Sequence, residues 1–212
     1  MEINASAHAD DDFSKNKSIA ELTDWNIYSP VWAPVSLEDQ WLKLQDKDPF
    51  DYAKVERKIP ASKELKVSFD LKAGQNNKGT LHIEFLDENG IACSRMELTD
   101  DGIFRLKGGS RFANMMKYEA GKIYHVEAVL STVDRNIQVY VDGKRVGLRM
   151  FYAPVAAVER IVFRTGVPRT FPTVDTPADQ TYDLPNAGAQ DPLAEYGIAN
   201  VKASSTDKDA SS

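Results

Sequence analysis

Three carboxylates, Asp46, Asp48 and Asp51, crowd into six residues around Pro49. Oxygen ligands packed this closely suit a calcium loop, so the three aspartates are the candidate metal ligands and a structural calcium the candidate cofactor. An EF-hand is excluded, because the Gly and the distal Glu of that loop are missing. The same residue type forms turns without any metal, by accepting backbone N–H groups from nearby residues. A second set, His82, Glu84, His125 and Glu127, would supply imidazole and carboxylate groups for a metal or proton-transfer site if neighbouring strands turned all four onto one face. Its alternative is the wet face of a sheet. Glu84 and Asp87 stand three apart, which on a strand aims them at opposite faces, so the paired carboxylates of glycoside cleavage are not formed.

The stretch from Gly166 to Pro192 contains five prolines and no strand pattern. Connections of this length carry function or cover a sheet edge. Arg164, Arg169, Tyr182 and Asp183 are its candidate carbohydrate-binding residues, since guanidinium and aromatic faces suit hydroxyl and carboxylate groups. A structural strap over the domain is the competing reading. Trp25, Trp32 and Trp41 share one N-terminal stretch with Tyr28, where they serve either the core, a domain interface or a platform for sugar rings. Cys93 in Ile91-Ala92-Cys93-Ser94 is expected to be a small buried strand residue.

The elements that must position these groups are strands. Leu65, Val67, Phe69 and Leu71 alternate with polar residues, the period of two expected of a sheet with one face on a core. Leu81, Ile83 and Phe85 repeat the pattern, and Asn89-Gly90 turns the chain back into 91–98 as a hairpin. Asp100-Asp101-Gly102 leads into 103–106. Tyr124, Val126, Ala128 and Leu130 alternate against His125, Glu127 and Val129, then pair with Ile137, Val139 and Val141 before Asp142-Gly143. Val158 to Phe163 and Tyr196 to Val201 complete the set. Helical signals are confined to short turns near 36–41 or 18–23. Hairpins without crossover helices imply antiparallel sheets, and this many strands imply an all-β, two-sheet sandwich.

Composition bounds the rest. Hydrophobic residues at 42% and charged residues at 27% are compatible with a packed core. The expected organisation is a disordered arm over 1–20, one sandwich domain over 21–203 and a disordered tail over 204–212. A net charge of −6 argues against nucleic acid and against anionic membrane surfaces, which need clustered basic charge, yet it leaves room for a local basic pocket and an acidic sugar. The single cysteine removes any internal disulfide. No apolar run suits a signal peptide or approaches the roughly 18 residues of a membrane span. A periplasmic or extracellular setting is expected if the sequence is a piece of an exported protein.

Two motifs carry a resemblance. Gly121-Lys122-Ile123-Tyr124-His125-Val126, followed by Ile137-Gln138-Val139-Tyr140-Val141-Asp142-Gly143-Lys144, resembles the laminin-G-like and concanavalin A-like sandwich, which implies a jelly-roll of two antiparallel sheets. The segment 42–202 also looks like a non-catalytic module appended to bacterial polysaccharide-degrading enzymes, on 46–54, Phe151-Tyr152-Ala153-Pro154-Val155, Arg164-Thr165-Gly166 and 175–185. That resemblance implies an accessory module that binds a polysaccharide or oligosaccharide, or docks beside a catalytic domain. A polysaccharide lyase is the alternative. Arg95-Met96-Glu97 resembles the Arg-x-Glu of alginate-lyase sandwiches, and Tyr118-Glu119-Ala120-Gly121 with Tyr124 resembles Tyr-x-Lys-Ala-Gly-x-Tyr, with the Lys missing and the Gly displaced. It would use Tyr124 or His125 as base and Arg95 to neutralise the uronate. A purely structural spacer is the third reading.

Overall fold

The computed structural model describes residues 6–166 and 190–206. Fifteen strands run in chain order as β1 Ser6–Asp11, β2 Trp25–Tyr28, β3 Val35–Glu38, β4 Trp41–Asp46, β5 Lys54–Ser62, β6 Glu64–Ala73, β7 Leu81–Leu86, β8 Ala92–Leu98, β9 Ile103–Gly108, β10 Arg111–Lys117, β11 Ile123–Ser131, β12 Asn136–Val141, β13 Lys144–Met150, β14 Val158–Thr165 and β15 Ala194–Ser205. Among the described residues the helical turn is a 3-10 turn over Ile19–Glu21, while 36–41 is occupied by β3, β4 and the tight turn between them.

The strands form two antiparallel sheets. The first has the order β13-β12-β11-β6-β15-β4-β3, with β1 also paired to β15; the second has the order β10-β9-β8-β7-β14-β5-β2. Alternation decides which residues meet between them. Val67, Phe69 and Leu71 of β6 and Val126, Ala128 and Leu130 of β11 are buried from the first sheet, and Ile83 and Phe85 of β7 with Ile161 and Phe163 of β14 from the second. Phe69 and Phe163 join the layers edge to face, their ring centroids 5.0 Å apart, a favoured aromatic geometry.

The tight turns lie where the sequence places them. Gly90, Gly102 and Gly143 close the three hairpin turns with φ of 81°, 85° and 82°, in the left-handed region glycine enters without penalty. Two expected boundaries are different. The 1–20 arm contains β1, which pairs antiparallel with the far half of β15, Ser6 opposite Ser205 and Asp11 opposite Val201, with a bulge between Ala7 and Ala9. Its sequence, SAHADD, has little apolar signal. Its anchor is an ion pair, Asp11 Oδ2 to Arg57 Nε at 2.7 Å, with Trp25 Nε1 donating to the same oxygen at 3.0 Å. For the same reason β15 continues to Ser205, past the expected domain end at 203.

Candidate functional site

The side chains of β7, β8, β9, β14 and β5 that point away from the core form a continuous polar floor on the outer face of the second sheet. Register aligns them in rows. Arg105 stands opposite Glu97, Glu97 opposite His82, His82 opposite Arg164, Arg164 opposite Lys54 and Lys54 opposite Tyr28. The next row runs Arg95, Glu84, Val162, Glu56, Asn26. In these rows β7, β8 and β9 are successive hairpin strands, whereas β14, β5 and β2 come from distant parts of the sequence and join them by sheet order alone.

Burial is deep for an outward face: His82 is 4% exposed, Glu97 6% and Glu84 8%. Buried carboxylates must be paired, and these are. Glu97 accepts both from Arg105 Nη2, at 3.0 Å to each oxygen, and from Arg105 Nε. Glu84 faces Arg95 Nε at 3.4 Å, and Glu56 faces Arg160 Nη1 at 3.5 Å while accepting from Asn26 Nδ2 at 2.8 Å. His82 is held neutral. Burial first, then the positive charges of Arg95 and Arg164, push its pKa down to about 3, with the Gly166 backbone acting the other way and Arg105 adding a lesser push down. Glu97 Oε2, 3.9 Å from Nδ1, does not reverse this.

Aromatic rings flank the floor. Tyr52 lies under the Arg164 guanidinium, 3.9 Å from ring centroid to Cζ, and leans on Tyr28 with centroids 5.4 Å apart. On the other side Phe112 lies against Arg105 at 4.2 Å and Tyr152 against Lys107 at 4.4 Å. Burial raises the Tyr152 phenol to about 12, so it stays a hydrogen-bond donor. Its backbone N–H donates to Cys93 O at 3.0 Å, which anchors the segment after β13 to β8. Cys93 itself is buried, and burial pushes its thiol up to about 12, far from a reactive thiolate.

The aspartates expected to hold calcium build the turn that brings Tyr52 to this face. Asp46 Oδ1 accepts the Asp48 N–H, Asp48 Oδ1 accepts those of Phe50 and Asp51, each at 2.9 Å, and Asp51 Oδ2 accepts the Tyr28 hydroxyl at 2.8 Å. Thr165 beside Arg164 locks the turn to β14: its hydroxyl donates to Asp46 Oδ2 at 2.6 Å and accepts the Ala53 N–H at 2.9 Å. Burial raises the Asp46 pKa to about 6, the bonds from Thr165 and Asp48 acting the other way. Among the described residues, no three His, Cys, Asp or Glu side chains group in a way that could hold a metal.

Other expected sites fare differently. Arg164 is part of the floor, whereas Arg169, Tyr182 and Asp183 lie outside the described residues. The set His82, Glu84, His125 and Glu127 is not assembled. The first two face outward from the second sheet; His125 and Glu127 face outward from the first, where His125 Nδ1 lies 2.9 Å from Asp70 and Glu127 3.1 Å from Lys66. Alternation had given each pair a facing but not a sheet. The lyase set is dispersed for the same reason: Arg95 is on the second sheet's outer face, His125 on the first sheet's, and Tyr124 points inward between them, its hydroxyl accepting the Glu119 N–H at 2.9 Å. Trp25 is core. Trp41 is half-buried on the first sheet's outer face, its indole resting on Gly197, where any Cβ would come within 2.9 Å of the ring, with Lys72 Nζ 4.8 Å from the ring centroid.

A two-sheet antiparallel sandwich of this order is a concanavalin A-like module. The chain belongs to the family of the sialidase-like CBM domain, whose model matches residues 25–180, and it is accordingly a carbohydrate-binding module. It is 87% identical to a solved sialidase, with a TM-score of 0.90 over 98% of this chain and 19% of that one, so it spans about a fifth of that protein's length. The non-specific endo-beta-1,3(4)-glucanase SCLam of family GH16 shares the fold at 10% identity, TM-score 0.64, over 98% of this chain and 94% of that one. So does the carbohydrate binding module CBM66 from Bacillus subtilis, at 10% identity and TM-score 0.50, over 86% of this chain and 96% of that one. No curated protein matches the chain.

The floor residues that the sequence reading missed are His82 in this context, Arg105, Arg160, Tyr52, Phe112 and Tyr152. The one signal was charge on alternating strands, Arg-x-Lys in β9 for Arg105 and Arg-x-x-x-Arg in β14 for Arg160; the rings carried none.

Proposed function

We propose that this module binds an oligosaccharide or polysaccharide on the outer face of its second sheet and so holds a neighbouring sialidase catalytic domain on its glycan. What supports the reading is the row Arg105, Glu97, His82, Arg164 between the rings of Tyr52 on one side and Phe112 and Tyr152 on the other. Planar rings stack on sugar faces, and paired guanidiniums present fixed donors to hydroxyl oxygens. The 87% identity to part of a sialidase supports the neighbour.

Affinity gel electrophoresis over a panel of mucins and plant and algal polysaccharides gives the test. Tyr52→Ala removes a rim ring and is expected to weaken retention about tenfold, which corresponds to about 1.4 kcal/mol, with the fold intact by circular dichroism. Trp41→Ala on the opposite sheet should leave retention unchanged. If Trp41→Ala abolishes binding and Tyr52→Ala does not, the glycan lies on the first sheet and the proposal is wrong.

A calcium ion on Asp46, Asp48 and Asp51, whose side chains would have to leave the turn bonds described above and regroup around the ion, is a separate proposal with its own measurement. A folded-state site raises stability by RT ln(1 + [Ca]/Kd), about 2.7 kcal/mol at a hundredfold excess over Kd. Tm of chelator-treated protein should climb with added calcium, and Asp48→Asn should blunt the rise. A melting curve indifferent to millimolar calcium leaves the three aspartates as turn formers.

A further inference from the structure

Among the described residues, the outer face of the second sheet carries more cations than anions, in a chain that is acidic overall. Its strands β5, β7, β8, β9 and β14 point four arginines (95, 105, 160, 164) and three lysines (54, 58, 107) outward, against three glutamates (56, 84, 97). The chain as a whole has a formal net charge of −6. The excess is therefore a local feature of this face.

Depth separates the two signs further. In the three ion pairs of the floor the carboxylates are the buried partners, with side-chain exposures of 11% for Glu84, 8% for Glu97 and 9% for Glu56. The guanidiniums stand above them, at 21% for Arg95, 34% for Arg105 and 28% for Arg160. A molecule arriving from solvent meets the cations first. Donor capacity remains as well: Arg95 Nε faces Glu84 at 3.4 Å without a hydrogen bond, and Arg160 Nε and the Tyr152 hydroxyl are buried without a partner. Buried donors of this kind are completed by a ligand or by water. Burial first, and the positive field of Arg95 and Arg164 second, keep His82 neutral although Glu97 is its neighbour.

We infer that the glycan taken by this face is anionic, its sugar carboxylate received by the guanidiniums of Arg95 and Arg164 while Tyr52 stacks beside it. The inference rests on the proposed site and names its ligand class. A planar carboxylate matches the guanidinium fork in two parallel bonds, where neutral hydroxyls use single donors. The carboxylate can come from a terminal nonulosonate or from a uronate, because the recognised group is the same.

The test is titration calorimetry with four probes at low ionic strength: 3′-sialyllactose, lactose, tri-galacturonate and its methyl ester. One or both acids should bind at least tenfold more tightly than their neutral counterparts, and which acid binds identifies the source. Raising NaCl from about 50 to 500 mM should weaken the acid and leave any neutral binding unchanged, since partly exposed charges are screened. Arg164→Gln should lower acid affinity at least tenfold. Because removing Arg95 alone strands Glu84, the paired change Glu84→Gln with Arg95→Gln keeps the charge balanced and should lower acid affinity to a similar degree with Tm near that of the parent. Acid and neutral probes that bind equally, without salt dependence, overturn the anionic assignment and leave the site standing. Failure of all four probes together with the polysaccharide panel overturns both.

Discussion

Val126→Asp should unfold the domain or cost about 4 kcal/mol or more, whereas Lys66→Ala, on the other face of the same sheet in the neighbouring strand, should change stability by no more than about 0.5 kcal/mol. Val126 is fully buried on β11, opposite Phe69 of β6 and Val141 of β12, so a carboxylate there finds neither water nor a cation. Lys66 is half exposed and loses only a surface ion pair to Glu127 at 3.1 Å. The two costs differ because one change desolvates a charge and the other removes a contact already screened by solvent. Total stability of a domain this size is about 5–15 kcal/mol, so Val126→Asp takes a large share of it. Urea midpoints for both variants check this. Equal midpoints would mean that β11 faces the other way.

That contrast also measures what the sequence could say. The strands β6, β7, β8, β11, β12, β14 and β15 are legible because alternation is a local property of a chain with one buried face, and the hairpins are legible because Asn89-Gly90 and Asp142-Gly143 specify their turns within two residues. Strand β1 is not, since its hold on the domain is backbone pairing with residues nearly two hundred positions away and the Asp11–Arg57 ion pair. The floor is illegible for the same reason. His82 becomes a neighbour of Arg164 only because β14 inserts between β7 and β5, and nothing within β7 or β14 states that order. The Asp46–Asp51 cluster was visible, but its role depends on Thr165, which is brought to it by β14.

The same two regions give the domain opposing responses to acid, and two substitutions should expose them separately. His82 has a folded pKa of about 3, below its usual 6.5. The unfolded chain therefore binds the extra proton as pH falls below 6.5, and stability is lost, by about 2 kcal/mol between pH 7 and pH 5 at 1.36 kcal/mol per unit. Asp46 has a folded pKa of about 6, above its usual 3.8. Here the folded chain takes up the proton first, so stability is gained as pH falls through 6, by about 1 kcal/mol over the same interval. In the parent protein the second slope offsets about half of the first between pH 7 and pH 5, leaving a net loss of about 1 kcal/mol. His82→Gln removes the first, so relative to the parent this variant should gain about 2 kcal/mol on going from pH 7 to pH 5. Asp46→Asn removes the second and should lose about 1 kcal/mol relative to the parent over that range. Urea unfolding of the three proteins at half-unit steps reads both slopes, and absolute stabilities need not match because only the change with pH is compared. Variants whose pH curves run parallel to the parent's would show that neither group is shifted by the buried surroundings assigned to it.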